Sequence, residues 1–230
     1  MSVALATMTW ARTNGEEELL FRSLTAAAAL GYPMEIANRD VRPEFAERLS
    51  RLANAAVVSV REEGLVPQIM AALDAAAARQ PEMLFYTEPD KELFFASAAA
   101  RFLDAARRLG KPALVLAARS EASFATFPPM QRYTEAVINH LCSECLGVAG
   151  DYSYGPFVMP GRLLSDVRAV SRDLGWGWRL AAFRAAGRER LPIVHLPYDL
   201  PCPVSQTHED QADREHRIRQ LSENLRGLLT

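Results

Sequence analysis

The sequence predicts a layered α/β sandwich around a mainly parallel sheet, in a single domain of 230 residues. Three observations carry this. Short apolar runs alternate with longer segments of helical spacing through the first half. The runs are apolar at successive positions, as in parallel strands covered on both faces. No repeat or linker-like stretch interrupts them, so the chain divides only loosely, into residues 1–117 and 118–230.

Taken in order, residues 3–10 read as a buried strand. Residues 14–30 follow with helical spacing: Leu19, Leu20, Leu24, Ala27 and Ala28 share a face, Asn14 is placed as N-cap, and Glu16, Glu17 and Glu18 favour the positive helix start. Gly31 suits a helix C-terminus. A strand at 34–37 leads to the polar Asn38-Arg39-Asp40, then to a helix at 43–53 with Pro43 in its first turn. The Val-rich run 55–60 is a strand, and 65–79 is an alanine-rich helix. Residues 83–87 form a fourth strand, 91–109 one long helix closed by Gly110, and 112–117 a fifth strand.

The second half changes character. Residues 118–135 read as a loop entering a helix, 133–146 as an amphipathic helix, and 151–157 (Asp-Tyr-Ser-Tyr-Gly-Pro-Phe) as an aromatic contact loop. Helices are predicted at 162–174 and from Gly175-Trp176-Gly177-Trp178 to Ala186, a strand at 191–196, and a charged terminal helix at 209–228.

Composition removes several function classes. Hydrophobic residues make up 49% and charged residues 23%, ordinary for a soluble globular protein. A net charge of −2 offers no electrostatic attraction to nucleic acid or an anionic membrane. No apolar run reaches the length of a membrane span, and the N-terminus lacks a basic signal-peptide start. Only Lys91 and Lys111 are lysines among 26 basic residues, the mark of a GC-rich genome rather than a binding device. The odd set Cys142, Cys145 and Cys202 forms no disulfide framework and points to a reducing cytoplasm. Cys142-x-x-Cys145 ends a helical run and has no second pair, so buried free thiols are the reading, not zinc.

Ligands of parallel α/β sheets bind beyond the carboxyl ends of the strands. Three such loops are polar: 11–14, 38–40 and 88–90. In the last, Glu88 and Asp90 stand two apart after a strand, so both carboxylates can face one point. Two hard oxygen ligands there suit Mg²⁺ or Mn²⁺ against a diphosphate. A strand–turn–helix corner with Asp90 near the helix start accounts for the same residues.

The order of these pieces resembles the GT-A fold of nucleotide-sugar-dependent glycosyltransferases, in particular the family-2-like group. Residues 9–17 (Thr-Trp-Ala-Arg-Thr-Asn-Gly-Glu-Glu) resemble the first nucleotide loop, Asn38-Arg39-Asp40 the second strand-end acid, and Glu88-Pro89-Asp90 the metal-binding D-x-D motif with Glu in first place. The resemblance implies sugar transfer from a nucleotide-diphosphate donor to an acceptor it does not name. It implies metal ligation by Glu88 and Asp90, and nucleotide contacts from Thr9, Ala11, Arg12, Asn14, Asp40, Gln68 and Lys91. Tyr152, Tyr154, Gly155 and Trp176 fall where acceptor contacts are expected.

The usual Glu-Asp pair bearing the catalytic base is absent. Either Asp151 or Asp173 substitutes for it, or configuration is retained, as in mannosylglycerate-synthase-like enzymes. Those enzymes also take a metal ligand from a C-terminal histidine, a part His208 can play; His195 is the weaker choice. Two alternatives stay open: a catalytically silent GT-A-like binding protein, and a sugar-nucleotide nucleotidyltransferase. The latter lacks its Gly-rich basic loop here. The short chain leaves room for a second subunit, in a homo-oligomer, to complete the acceptor site.

Overall fold

The computed structural model describes residues 1–11, 13–39 and 41–230. A seven-stranded sheet runs in the order β3-β2-β1-β4-β6-β5-β7. Its strands are β1 (Val3–Thr9), β2 (Met34–Asn38), β3 (Ala55–Ser59), β4 (Met83–Tyr86), β5 (Leu114–Arg119), β6 (Phe157–Pro160) and β7 (Ile193–Tyr198). All pairings are parallel except those of β6, which lies antiparallel between β4 and β5. The carboxyl ends of β1, β2, β4 and β5 and the start of β6 therefore meet at one edge.

The helices are α1 (Asn14–Ala28), α2 (Pro43–Ser50), α3 (Leu65–Ala78), α4 (Glu92–Ser97), α5 (Ala99–Arg108), α6 (Glu121–Ala125), α7 (Pro129–Leu146), α8 (Leu164–Arg168), α9 (Gly177–Arg188) and α10 (Gln211–Leu228). Strand alternation divides them into two layers. Val3 and Leu5 of β1 pack with α1, α2, α4 and α5 around Leu24, Phe45, Phe94 and Phe102. Ala4, Ala6 and Met8 face the other layer, where α3 and α7–α10 contribute Ile69, Ile138, Val167, Trp178 and Leu228. No helix among the described residues is long and apolar enough to cross a membrane.

Several boundaries differ from the sequence expectation. The N-cap of α1 is Thr13, not Asn14. Its hydroxyl accepts from Glu16 N at 3.2 Å while Glu16 Oε2 accepts from Thr13 N at 3.0 Å, a reciprocal pair that satisfies two otherwise orphan N–H groups. The expected helix 91–109 breaks at Ala98, whose φ of −125° is not helical, so that α4 and α5 each bury phenylalanines (Phe94 and Phe95; Phe102) against the sheet. The expected helix 162–174 shortens to a 3₁₀ turn at Gly161–Leu163 and α8. The contact loop 151–157 ends by entering β6, which the sequence reading missed.

Candidate active site

Beyond the end of β4 the chain runs Thr87-Glu88-Pro89-Asp90-Lys91 into α4. The two acids diverge in environment. Glu88 is 7% exposed and Arg179, on α9, is 5% exposed. Arg179 Nη1 donates to Glu88 Oε1 at 2.6 Å and Nη2 to the Ser153 carbonyl at 3.3 Å. Glu88 Oε2 is buried without a hydrogen-bond partner. It lies against Gly155, whose φ of +125° and lack of a Cβ allow the carboxylate this close; a Cβ there would collide with it. Asp90 is partly exposed, with Lys91 Nζ at 3.3 Å.

At the end of β5, Arg119 forms a second buried centre. Nε and Nη2 grip Asp151 Oδ2 and Oδ1 at 2.8 and 3.0 Å, Nη2 also donates to Ser153 Oγ at 2.9 Å, and Glu135 Oε2 stands 2.7 Å away. Its guanidinium also packs on Phe124, Phe127 and Tyr154. Burial pushes the Asp151 carboxyl up, but Arg119 outweighs it and holds the group down at about 2. Burial opposes the charge on Arg119, and Glu135 and Asp151 more than restore it, raising its pKa above the ordinary value. Burial pushes the Tyr154 hydroxyl well up, so it stays protonated.

Both centres line one cavity of about 390 Å³. Met8, Trp10 and Glu16 close it on the β1 side, Glu88 to Lys91 form its floor, and His216, Arg217, Gln220 and Asn224 of α10 form the far wall. Backbone contact seats α10. Gly177 and Gly227 face each other so closely that a Cβ on either would strike the other helix's backbone, and Glu223 Oε2 accepts from Trp176 N at 2.9 Å.

No protein-family model matches the chain, and no curated protein matches its sequence. Solved structures do. Glucosyl-3-phosphoglycerate synthase from Mycobacterium tuberculosis, in complex with Mn²⁺, uridine-diphosphate and glucosyl-3-phosphoglycerate, superposes with a TM-score of 0.68 over 99% of this chain and 80% of that one, at 13% identity. Mannosyl-3-phosphoglycerate synthase from Rubrobacter xylanophilus gives 0.67 over 99% and 72%, at 14% identity. The chain adopts the GT-A fold. A further structure of the mycobacterial enzyme, with Mg²⁺ and uridine-diphosphate, gives 0.69.

The carboxyl edge of the GT-A sheet collects some of the expected residues and not others. Glu88, Asp90, Lys91, Tyr154 and Trp176 line the cavity. Arg12 and Asp40 lie outside the described residues. Thr9 is buried, its hydroxyl donating to Asn38 Oδ1 at 2.9 Å. Gln68 does reach the sheet end, but its Nε2 donates to the carbonyls of Thr9 and Ala37 at 2.7 and 3.0 Å, tying β1 to β2. Ala11 is buried in the core and Asn14 is exposed on α1.

The structure separates other expected residues from the cavity. Tyr152 is 1% exposed; its hydroxyl donates to the Val148 carbonyl at 2.6 Å and its ring packs on Phe183 and His195, so it is a core residue. Gly155 serves the approach of Glu88. Asp151 is engaged by Arg119, Asn139 and Ser153. Asp173 is exposed, paired with Arg226 at 2.8 Å. His208 is exposed in the loop before α10, and it is His216 that lines the cavity. Arg119, Glu135 and Arg179 had no sequence signal beyond being charges in apolar or mixed surroundings; Arg217 stood out only within Arg214-x-x-Arg217 of the terminal helix, a spacing that reads mainly as a solvated, paired face and more loosely as a reach toward donor or acceptor. The cysteines are free thiols; Cys142 and Cys202 are buried but Cys145, expected to be buried, is exposed, and burial pushes Cys142 up to about 12.

Proposed function

We propose that this chain is a metal-dependent glycosyltransferase taking a sugar from a nucleotide-diphosphate donor. One observation carries the reading: an acid-x-acid segment at the end of the fourth strand opens into a cavity shared by the first-strand loop and a histidine-bearing C-terminal helix. The mycobacterial neighbour of the same fold binds uridine-diphosphate with Mn²⁺ or Mg²⁺.

The donor set fits such an ion. Asp90 offers a partly exposed carboxylate, Glu88 Oε2 has no donor claiming it, and His216, exposed on α10 at the cavity wall, supplies an imidazole whose pKa partial desolvation lowers, toward the neutral, ligating form. Among the described residues no three His, Cys, Asp or Glu side chains stand together so as to hold a metal ion, so the chain itself would supply at most two direct ligands. That suits an ion that completes its shell with diphosphate oxygens and water. When bound, the metal neutralises charge on the departing nucleoside diphosphate.

The chain's own groups do the rest. Arg179 holds Glu88 in place. Lys91 adds positive charge beside Asp90, and Trp10 and Trp176 offer flat faces to the donor. Asp151 and Asp173 present no free oxygen to the cavity, which supports the retaining alternative over an inverting mechanism with either as base.

The test is calorimetry and thermal shift with UDP- and GDP-sugars, with and without Mn²⁺. Metal-dependent binding of one nucleotide, and donor turnover lost in Asp90→Asn, are expected; no binding of any nucleotide with metal sinks the reading. The immobilised Glu88 favours the silent binding protein as the second reading, and binding without turnover would select it.

A further inference from the structure

We infer that a second cavity, adjoining the first at Asp90, receives an uncharged apolar arm of the second substrate. It holds about 470 Å³ and lies between α1, α4 and the loop that follows β7. Leu19, Leu93, Ala96, Phe127, Pro203 and Val204 give it apolar walls. Leu93 is 38% exposed and Val204 90% exposed, although both line the same hollow. A concave apolar site of this size suits a small-molecule group, and burying it there removes Leu93 and Val204 from water.

The charges on these walls cancel in pairs. Arg22 Nε donates to Glu92 Oε1 at 3.1 Å and Nη2 to Oε2 at 3.3 Å, and Lys91 Nζ stands 3.3 Å from Asp90 Oδ1. No other Asp, Glu, Lys or Arg among the described residues lines the hollow. An anion entering it finds no cation free to compensate it, whereas an aliphatic or aromatic group gives up no hydration of its own. The phosphoglyceric acid bound by the mycobacterial neighbour is a small charged molecule, the opposite of what this hollow accepts. Asp90, Lys91 and Tyr154 line both cavities, so a molecule with its reacting hydroxyl beside Asp90 can lay its tail in the second. The donor nucleotide, in the proposed reading, lies over the ends of β1, β2 and β3. The loop that covers the hollow follows β7, the strand at the far edge of the sheet. The arm therefore belongs to the acceptor. That assignment rests on the proposed glycosyl transfer; the affinity for an apolar group does not.

Calorimetry on the full chain tests both parts, with the octyl ether of glycerol, kept below its micelle concentration, as the probe. Glycerol is the control without an arm, and uridine-diphosphate with Mn²⁺ the donor-side control. The octyl ether should bind and glycerol should not, and shortening the chain should weaken binding by up to about fourfold per methylene removed. Ala96→Trp, which fills the hollow from α4, and Val204→Asp, which puts a charge on its rim, should each weaken the ether by about tenfold or more. Val204 is so exposed that its replacement leaves the fold intact, which covers a misfolded Ala96→Trp. Both variants should bind uridine-diphosphate with Mn²⁺ as the parent does, and the parent should hold ether and nucleotide together.

No binding of the ether, equal binding of glycerol, or unchanged ether binding in Val204→Asp overturns the inference. Mutual exclusion of ether and nucleotide moves the arm to the donor and overturns the acceptor assignment. Sedimentation showing a dimer that the ether splits makes a second copy of the chain the occupant, and overturns it as well. If the ether binds through the hollow but no nucleotide binds with metal, glycosyl transfer fails and the apolar site stands.

Discussion

Arg179 and Glu88 form an ion pair at 2.6 Å in which both side chains are more than nine-tenths buried. Their partnership joins α9 to the loop after β4, and it makes the first acid of the motif a fixed anion rather than a mobile ligand. Removing Arg179 alone strands that anion. Arg179→Met is expected to cost about 3–5 kcal/mol of stability, whereas Arg179→Met with Glu88→Leu should recover much of it. Urea unfolding of the two variants decides; equal losses would show the pair contributes packing rather than charge compensation.

Asp151 predicts an acid-labile term. Its folded-state pKa, about 2, lies below the ordinary carboxylate value of roughly 3.9 expected when unfolded. A depressed pKa stabilises above the unfolded value and loses that contribution as pH falls toward the folded one, here about 2 kcal/mol lost between roughly pH 4 and 2. Stability measured against pH should fall through this window in the parent. In Asp151→Asn the fall should be shallower, and parallel curves would refute the assignment.

Two histidines separate the sequence reading from the structure. His216→Ala should weaken Mn²⁺-dependent nucleoside diphosphate binding by roughly tenfold or more, while His208→Ala leaves it unchanged. Mn²⁺ titrations at fixed nucleotide read the difference, and the reverse result would return the ligand to His208.

The seat of α10 offers a fourth test. Gly177→Val places a Cβ into the backbone of the facing helix, an overpacking worth about 1–3 kcal/mol. Early proteolytic cleavage near residues 203–210 and loss of nucleotide binding should accompany it. A variant with α10 still protected would show that the crossing tolerates separation.

The sheet was legible because its strands are apolar at successive positions, as Val3 to Met8 and Leu114 to Ala118 illustrate, and because Pro43, Gly31 and Gly110 punctuate helix ends. β6 was hidden because Phe157-Val158-Met159-Pro160 is short and follows an aromatic, glycine-bearing loop that reads equally well as a contact surface. Asp90 could be found from its spacing after a strand. Arg119 and Arg179 could not, since each is a lone charge whose partners lie tens of residues away, Asp151 and Glu88 among them. His216 was masked by the mixed charges around it, which at helical spacing read as a solvated face; only the crossing at Gly177 and Gly227 turns that face toward the cavity.

The placing of β6 governs which pieces of the chain can exist alone. β4 and β5 do not pair; the strand between them is made later in the chain than either. A fragment ending at residue 117 would therefore leave Met83–Tyr86 as an open, apolar sheet edge, the kind that recruits other chains into aggregates. The two halves that composition suggests cannot be expressed, swapped or recombined as modules. A nascent chain must likewise shield that edge until residue 160 has emerged, so split or permuted versions are best cut in surface loops that keep β4, β5 and β6 on one piece.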